Sequence, residues 1–288
     1  MKYAFIRAHQ ARYGIASLCR VLGVSRSGFY AWHGRGPSAR EQTDARLLLQ
    51  IQRLHATHHE AYGAVKTWRA LKASGVDCGK HRVARLRAAA GIEARRKRRF
   101  RIMSEHHKTA AAAPDLLEQR FLASAPDRTW VGDMTFIRTR QGWLYLAMLL
   151  DLYSRRVVGW AMGERPDEAL TLAALEMAIE SRRPLPGLIH HTDQGVIYRG
   201  RRYSTRLQDL GMRPSTGTKG SAYDNAVAES FFSNLKNELV HHRVFDTRDA
   251  ARAALFDYIE LFYNRRRLHQ SLGYRTPSQC EQDYYRGA

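Results

Sequence analysis

His190-His191-Thr192-Asp193-Gln194-Gly195 and, further on, Asp224-Asn225-Ala226-Val227-Ala228-Glu229-Ser230-Phe231-Phe232 decide how this chain reads. The first piece follows an apolar run, Leu185 to Ile189, with the pattern of a buried strand, so Asp193 is expected at that strand's C-terminal end. The second predicts a helix. Asp224 is a suitable N-cap, and Val227, Phe231, Leu235 and Leu239 recur every four residues as an apolar seam. At about 100° per residue, Asn225, Glu229, Ser233 and Lys236 gather on the opposite face, so Glu229 points away from the seam. Upstream, Trp130-Val131-Gly132-Asp133-Met134-Thr135-Phe136 places a third carboxylate, Asp133, inside a short β-rich run. Such hard oxygen ligands suit Mg²⁺ or Mn²⁺, which share their remaining positions with water and substrate phosphates. Two such ions about 4 Å apart can clamp the attacking and leaving oxygens of a phosphoryl transfer.

Asp133, Asp193 and Glu229, with 35 residues between the last two, resemble the DDE triad of retroviral-integrase-like transposases. The words around them narrow the resemblance: Trp130-Val131-Gly132-Asp133-Met134-Thr135, His191-Thr192-Asp193-Gln194-Gly195, Asp224-Asn225-Ala226, and Tyr263-Asn264-Arg265-Arg266-Arg267-Leu268-His269-Gln270-Ser271-Leu272-Gly273-Tyr274. Together they are similar to the OrfB-type transposases of the third bacterial insertion-sequence family, over nearly the whole chain. The resemblance implies an α/β fold, a ribonuclease-H-like integrase catalytic core behind an all-α helix-turn-helix N-terminal region. It implies DNA cleavage and strand transfer with Asp133, Asp193 and Glu229 as catalytic residues and ligands of two Mg²⁺ ions, Mn²⁺ substituting. It also implies a circular intermediate, a homo-oligomer on element-end and target DNA, a bacterial cytoplasmic, nucleoid-associated setting, and an upstream-frame partner or frameshift fusion. This chain starts without an upstream leucine-zipper-like segment, which leaves open whether it acts alone. Two rivals are a catalytically inactive DNA-binding regulator, against which all three acids are present, and a recombinase with a Ser or Tyr nucleophile.

Composition agrees with a DNA partner. The 288 residues carry a formal charge of +20, an excess that points to a polyanion, nucleic acid before an anionic membrane surface. No run of about 18 apolar residues offers a spanning helix, so no membrane partner is expected. Cys19, Cys78 and Cys280 lie far apart without a CxxC pair; buried thiols and no zinc are the expectation.

The expected domains are 1–36, a helix-turn-helix; 37–94, a second helical DNA-binding domain; 95–125, a basic linker; 126–240, the catalytic core; and 241–288, its helical extension. In the first, Ile15, Leu18, Cys19 and Leu22 make a stripe, Gly23 breaks it, and Ser25 caps a second helix, exposing Arg26, Ser27 and Tyr30 to DNA. Any two packed helices joined by Gly would give the same pattern. In the second, Lys80, Arg82, Arg85 and Arg87 cluster on or near an exposed helix face. From Lys80 to Lys108 there are 11 Lys or Arg against 2 acids, densest at Arg95, Arg96, Arg98 and Arg99, a tract suited to tracking phosphates without reading sequence.

From Thr129 the pattern turns to β. Trp130–Thr139, Trp143–Leu152 and Arg156–Met162 predict an antiparallel meander, then a helix capped by Asp167, the Leu185–His191 strand, a helix near Tyr203–Leu210, a strand at Met212–Ser215 and the Glu229 helix. The Gly217-Thr218-Lys219-Gly220-Ser221 loop, basic and glycine-rich, adds Lys219 as a DNA contact, and Lys236 is a candidate for a phosphate at the DNA end. Asp151 ends an apolar strand and could imitate a ligand, but pairing with Arg155 or Arg156 is expected. After Val240, Ala250 to Tyr263 predicts an amphipathic helix.

Overall fold

The computed structural model describes residues 1–95, 113–117, 123–193, 195–217 and 226–287. Arg96, Arg98, Arg99, Lys219 and the Asp224 cap lie outside them. The chain divides into two compact units, Met1–Arg53 and Leu54–Ala288. Among the described residues no helix is long and apolar enough to cross a membrane.

The first unit holds α1 (Lys2–His9), α2 (Ile15–Val21) and α3 (Arg26–His33) around Ile6, Leu18, Cys19 and Phe29, all buried. The stripe read from the sequence is this core. Gly23, at φ +61°, makes the left-handed turn between α2 and α3, and Ser25 Oγ accepts from Gly28 N at 3.0 Å, capping α3. Helix α1 escaped the sequence pattern because Ile6 alone among its residues is buried. Next, α4 (Ala39–Thr57) opens on a capping box: Ser38 N donates to Glu41 Oε2 at 2.7 Å and Glu41 N to Ser38 Oγ at 3.2 Å.

In the second unit α5 (Ala64–Ala73) and α6 (Lys80–Ala89) pack as a helical pair, with Gly75 at φ +79° in the turn. Arg87 corrects the expected basic face. It is buried on the inner face of α6 with Val83 and Leu86 and donates to Thr67 Oγ1 at 3.1 Å.

Five strands then form one sheet: β1 (Thr129–Thr139), β2 (Gly142–Asp151), β3 (Val157–Gly163), β4 (Ile189–Thr192) and β5 (Arg213–Thr216), in the order β3-β2-β1-β4-β5. The first three make the antiparallel meander; β4 and β5 join in parallel through α7 (Glu168–Arg182) and α8 (Arg201–Asp209). Helix α7 starts at the expected cap, with Asp167 accepting from Leu170 N at 3.0 Å. Strand β4 is shorter than the apolar run suggested. Gly187, at φ +93°, follows Pro186, and Leu185 is left 73 % exposed.

Alternation along the strands divides the core. Val131 and Ile137 face one layer with α9 (Ala226–Glu238) and α10 (Arg248–Phe256), whereas Trp130 faces the other with α7 and α8. The apolar seam of α9 is as read: Phe231, Leu235 and Leu239 are buried and Val227 packs beside them. The helix expected over Ala250–Tyr263 changes winding at Asp257, where a π-helical stretch runs to Tyr263. That stretch delivers Asn264, whose side chain pairs with both backbone groups of Val157 at 3.0 Å and so covers the edge strand β3. Last comes α11 (Pro277–Gly287).

Asp151 is buried and its charge acts on Arg155 as expected, while hydrogen bonds to it come from other residues. Its carboxylate accepts from Asp127 N, Ser154 N and Ser154 Oγ, each at 2.8 Å, locking the turn after β2. Arg156 pairs instead with Glu281 at 2.8 Å. The three cysteines are free and buried.

Candidate active site

The register of β1 against β4 builds the centre. These parallel strands pair Val131 with His191 and Gly132 with Thr192, after which β4 ends. The next residues are Asp133, within β1, and Asp193, just past the end of β4. With a two-residue period, Asp133 falls on the face of Val131, the one covered by α9, and its carboxyl feels the charges of Asp193 and Glu229. Gly132 permits this approach. A Cβ there would lie 3.0 Å from Leu149 Cδ2 and 3.1 Å from Thr192 Cγ2, inside ordinary carbon–carbon contact.

Each acid is held locally. Asp133, half-buried, accepts from Met134 N at 2.7 Å, and exposed Asp193 accepts from Gly195 N at 2.9 Å, a turn that a side chain at Gly195 would crowd. Glu229, in the first turn of α9, is exposed on the side away from the apolar seam. Burial, then the charge of Asp193 and more weakly that of Glu229, push the Asp133 carboxyl up to about 8, against the Met134 N–H and the Lys236 ammonium. Partial burial also raises Glu229. Lys236 is half-buried between Asp133 and Phe136, its Nζ 5.2 Å from the Phe136 ring centroid; burial lowers its pKa while the Asp133 charge opposes the shift.

The three acids thus act on one another, yet among the described residues no group of three His, Cys, Asp or Glu side chains lies close enough to hold a metal ion. The donor set, all carboxylate oxygen with one ammonium nearby, fits a hard divalent cation and not zinc.

Behind the acids stand two buried histidines. His190 Nε2 shares a 2.9 Å hydrogen bond with Tyr203 OH, and His191 Nδ1 one of 2.9 Å with Ser215 Oγ. Tyr198, five residues past Asp193, is a neighbour that the motif did not distinguish. Its hydroxyl is buried, has no hydrogen-bond partner among the described residues, and feels the charges of Asp133 and Asp193. Burial pushes the hydroxyls of Tyr198 and Tyr203 far up, the opposite of an activated tyrosine nucleophile.

The basic candidates divide. Arg26 and Ser27 are exposed on α3, and Lys80 and Arg85 on α6, with Arg82 half-buried there. Arg95 turns inward: its Nε lies 3.3 Å from Glu60 Oε2 and its Nη1 donates to Glu238 O at 3.1 Å. Sequence also missed the buried pair at the far end of α9. Arg267 grips Glu238 at 2.7 to 3.1 Å, and Tyr258 OH donates to the same carboxylate at 2.8 Å.

Comparison with known proteins agrees with this geometry. Integrase core domains match residues 123–222 and 210–277, and an HTH-like domain matches residues 41–100. A 31 kDa protein of insertion element IS600 from Shigella sonnei is 42% identical over 271 residues, 94% of this chain and 100% of that protein. The transposase InsF for insertion sequence IS3A of Escherichia coli (strain K12) is 40% identical over 283 residues, 98% of each. The HTLV-2 integrase catalytic core domain, solved in complex with magnesium, matches 55% of this chain and 98% of its own at 18% identity and a TM-score of 0.43, a level at which nothing of its chemistry transfers. The integrase core implies dependence on a divalent metal, and the HTH-like domain implies binding to DNA. With this identity sustained over nearly its whole length, the chain belongs to the IS3 family of insertion-sequence transposases, DNA polynucleotidyl transferases built on an integrase core.

Proposed function

We propose that Asp133, Asp193 and Glu229 are the catalytic acids of this transposase and together hold two Mg²⁺ ions, with Mn²⁺ as a substitute. The observation that carries this is the β1–β4 register, which runs Gly132 against Thr192, so that Asp133 inside β1 follows the last pair on one side and Asp193 just past β4 follows it on the other, with the charges of Asp193 and Glu229 both acting on Asp133. When bound, such ions lower the pKa of an attacking water or 3′-hydroxyl and neutralise charge on the phosphoryl group and its leaving oxygen. The chain's own part is to hold the three carboxylates in place and to admit DNA. Asp133 must give up the proton that burial and its neighbours favour, and the ions' charge supplies the reason to do so. Lys236, beside Asp133 on the same helix as Glu229, is suited to hold a phosphate of the DNA end.

Arg26, Ser27, Lys80, Arg82 and Arg85 are proposed DNA contacts of the helical regions, with Arg96, Arg98, Arg99 and Lys219 beyond the described residues; Arg95 serves first to anchor its own segment. The domain limits proposed from sequence, 1–36, 37–94, 95–125, 126–240 and 241–288, assign them to separate modules. A homo-oligomer joining element ends and target, with or without an upstream-frame product, in the bacterial cytoplasm is the working form this function implies. Asp133→Asn, Asp193→Asn and Glu229→Gln test the site. Each is expected to abolish end cleavage and strand joining while DNA binding and folding persist. Near-normal strand transfer by any one removes that residue from the set.

A further inference from the structure

Beyond Gly132, β1 loses its pairing with β4, and among the described residues its edge from Asp133 to Arg138 has no strand beside it. On this stretch and on β2 beside it lie two large aromatic side chains that the core does not take up. Phe136 is 53 % exposed and Trp143 46 % exposed. They are diagonal neighbours on one face of the β1–β2 hairpin, because Phe136 stands opposite Tyr145 and Trp143 opposite Arg138. Their rings meet edge to face, 5.0 Å apart and 81° inclined. Exposed rings at a hairpin end are ordinary singly; a paired set flanked by cations is not. Lys236 reaches over the Phe136 ring from α9, and exposed Arg138 stands beside Trp143.

We propose that Phe136 and Trp143 form a stacking platform for an unpaired DNA base close to the phosphodiester acted on at Asp133, Asp193 and Glu229. This deepens the function proposed above and rests on that assignment of the acids. Phe136 lies three residues from Asp133, roughly 10 Å along an extended strand, which is the rise of about three stacked nucleotides. Alternation turns the two side chains to opposite faces of β1, and Lys236 connects them around the free edge. With its ammonium on a phosphate, Lys236 releases the ring face it covers to a base. The chemistry is sequence-tolerant, since every base has a π-face, and it selects single-stranded over paired nucleotides, whose faces are already stacked. Cations beside rings favour a nucleic acid over an apolar protein segment.

The test uses the full chain and two DNA probes, a blunt duplex and the same duplex with a short single-stranded tail carrying 2-aminopurine. Wild type is expected to bind the tailed probe more tightly and to quench its 2-aminopurine. Phe136→Ala with Trp143→Ala is expected to lose about 5- to 100-fold in affinity for the tail, with blunt-duplex affinity unchanged. Phe136→Tyr and Trp143→Phe, which keep a ring, are expected to retain both. A 2-aminopurine that stays bright in the wild-type complex, or equal tail affinity in the alanine variant, overturns the proposal. So does an alanine variant whose sedimentation changes while tail binding does not, which would give this face to a second copy of the chain. Cleavage surviving in Asp133→Asn would fail the assignment of the acids instead, and leaves the tail measurement to stand on its own.

Discussion

Gly132→Ala is the smallest change that separates the site's geometry from its acids. The added methyl enters between Leu149 Cδ2 at 3.0 Å and Thr192 Cγ2 at 3.1 Å, both on buried residues. Carbon pairs prefer roughly 3.5–4.0 Å, so each neighbour must retreat by about 0.5 Å, one on β2 and the other on β4. Overpacking of that order costs about 1–3 kcal/mol. The lower chain entropy of Ala relative to Gly offsets about 0.4–1 kcal/mol. A net loss of about 1–2 kcal/mol is expected, read from denaturant midpoints at constant slope. The functional effect should be larger. Pushing β4 away from β1 moves Asp193 relative to Asp133, and a displacement near 1 Å costs on the order of 100-fold in rate. Strand transfer should therefore fall by about 10- to 100-fold in a variant that remains folded and binds DNA. Wild-type stability together with wild-type cleavage would refute the view that Gly132 sets the approach of these strands.

Glu238→Gln leaves Arg267 buried without its counter-charge, and about 3–5 kcal/mol of stability should be lost in chemical denaturation. Replacing the pair together, Glu238→Leu with Arg267→Met, should be milder. His190, held neutral by burial and lowered from 6.5 to about 4, is less protonated folded than unfolded. Stability should therefore fall as pH drops from 6.5 towards 4, by on the order of 3 kcal/mol, and His190→Gln should flatten that limb of a urea-midpoint profile. Because the Asp133 carboxyl sits at about 8 without a cation, divalent-metal affinity should rise with pH up to that value and level off above it. Calorimetry in buffers of different ionisation enthalpy would register the released proton, and its absence would place Asp133 outside the ligand set.

Much of the catalytic unit was legible because its signals are local. The β-rich run around Asp133 and the four-residue seam of α9 each lie within a single element and need no partner to be seen. Arg87 was also legible in principle. It lies four residues after Val83 and one after Leu86, on the buried stripe of α6, and only its charge suggested the outer face. Arg95 was not, since Glu60 and the Glu238 carbonyl that hold it are 35 and 143 residues away. The late start of β4 follows from Pro186 and Gly187, which break the strand conformation that the apolar neighbours favour. The π-helical turn at Asp257–Tyr263 has no pattern of its own; it follows from placing Asn264 against β3.

The three acids are supported in different ways, and this bears on how the site comes together. Asp133 is fixed by the middle of a sheet, and Asp193 by the end of a strand and a hydrogen-bonded turn. Glu229 has neither. It stands in the first turn of α9, while the clamp on that helix, Glu238 with Arg267, Tyr258 and Arg95, is nine residues on, about 13.5 Å away. Phe231 and Leu235 hold the helix against the sheet between these points. The helix axis is therefore set from its far end and its apolar face, and the carboxylate that completes the set projects from the end closest to solvent. Burial and the neighbouring charges favour the protonated Asp133 carboxyl, and the charge of a bound cation would oppose that. The protein thus supports its three acids unequally. It relies on a rigid pair of strand acids to define the position and on one helix acid to close it.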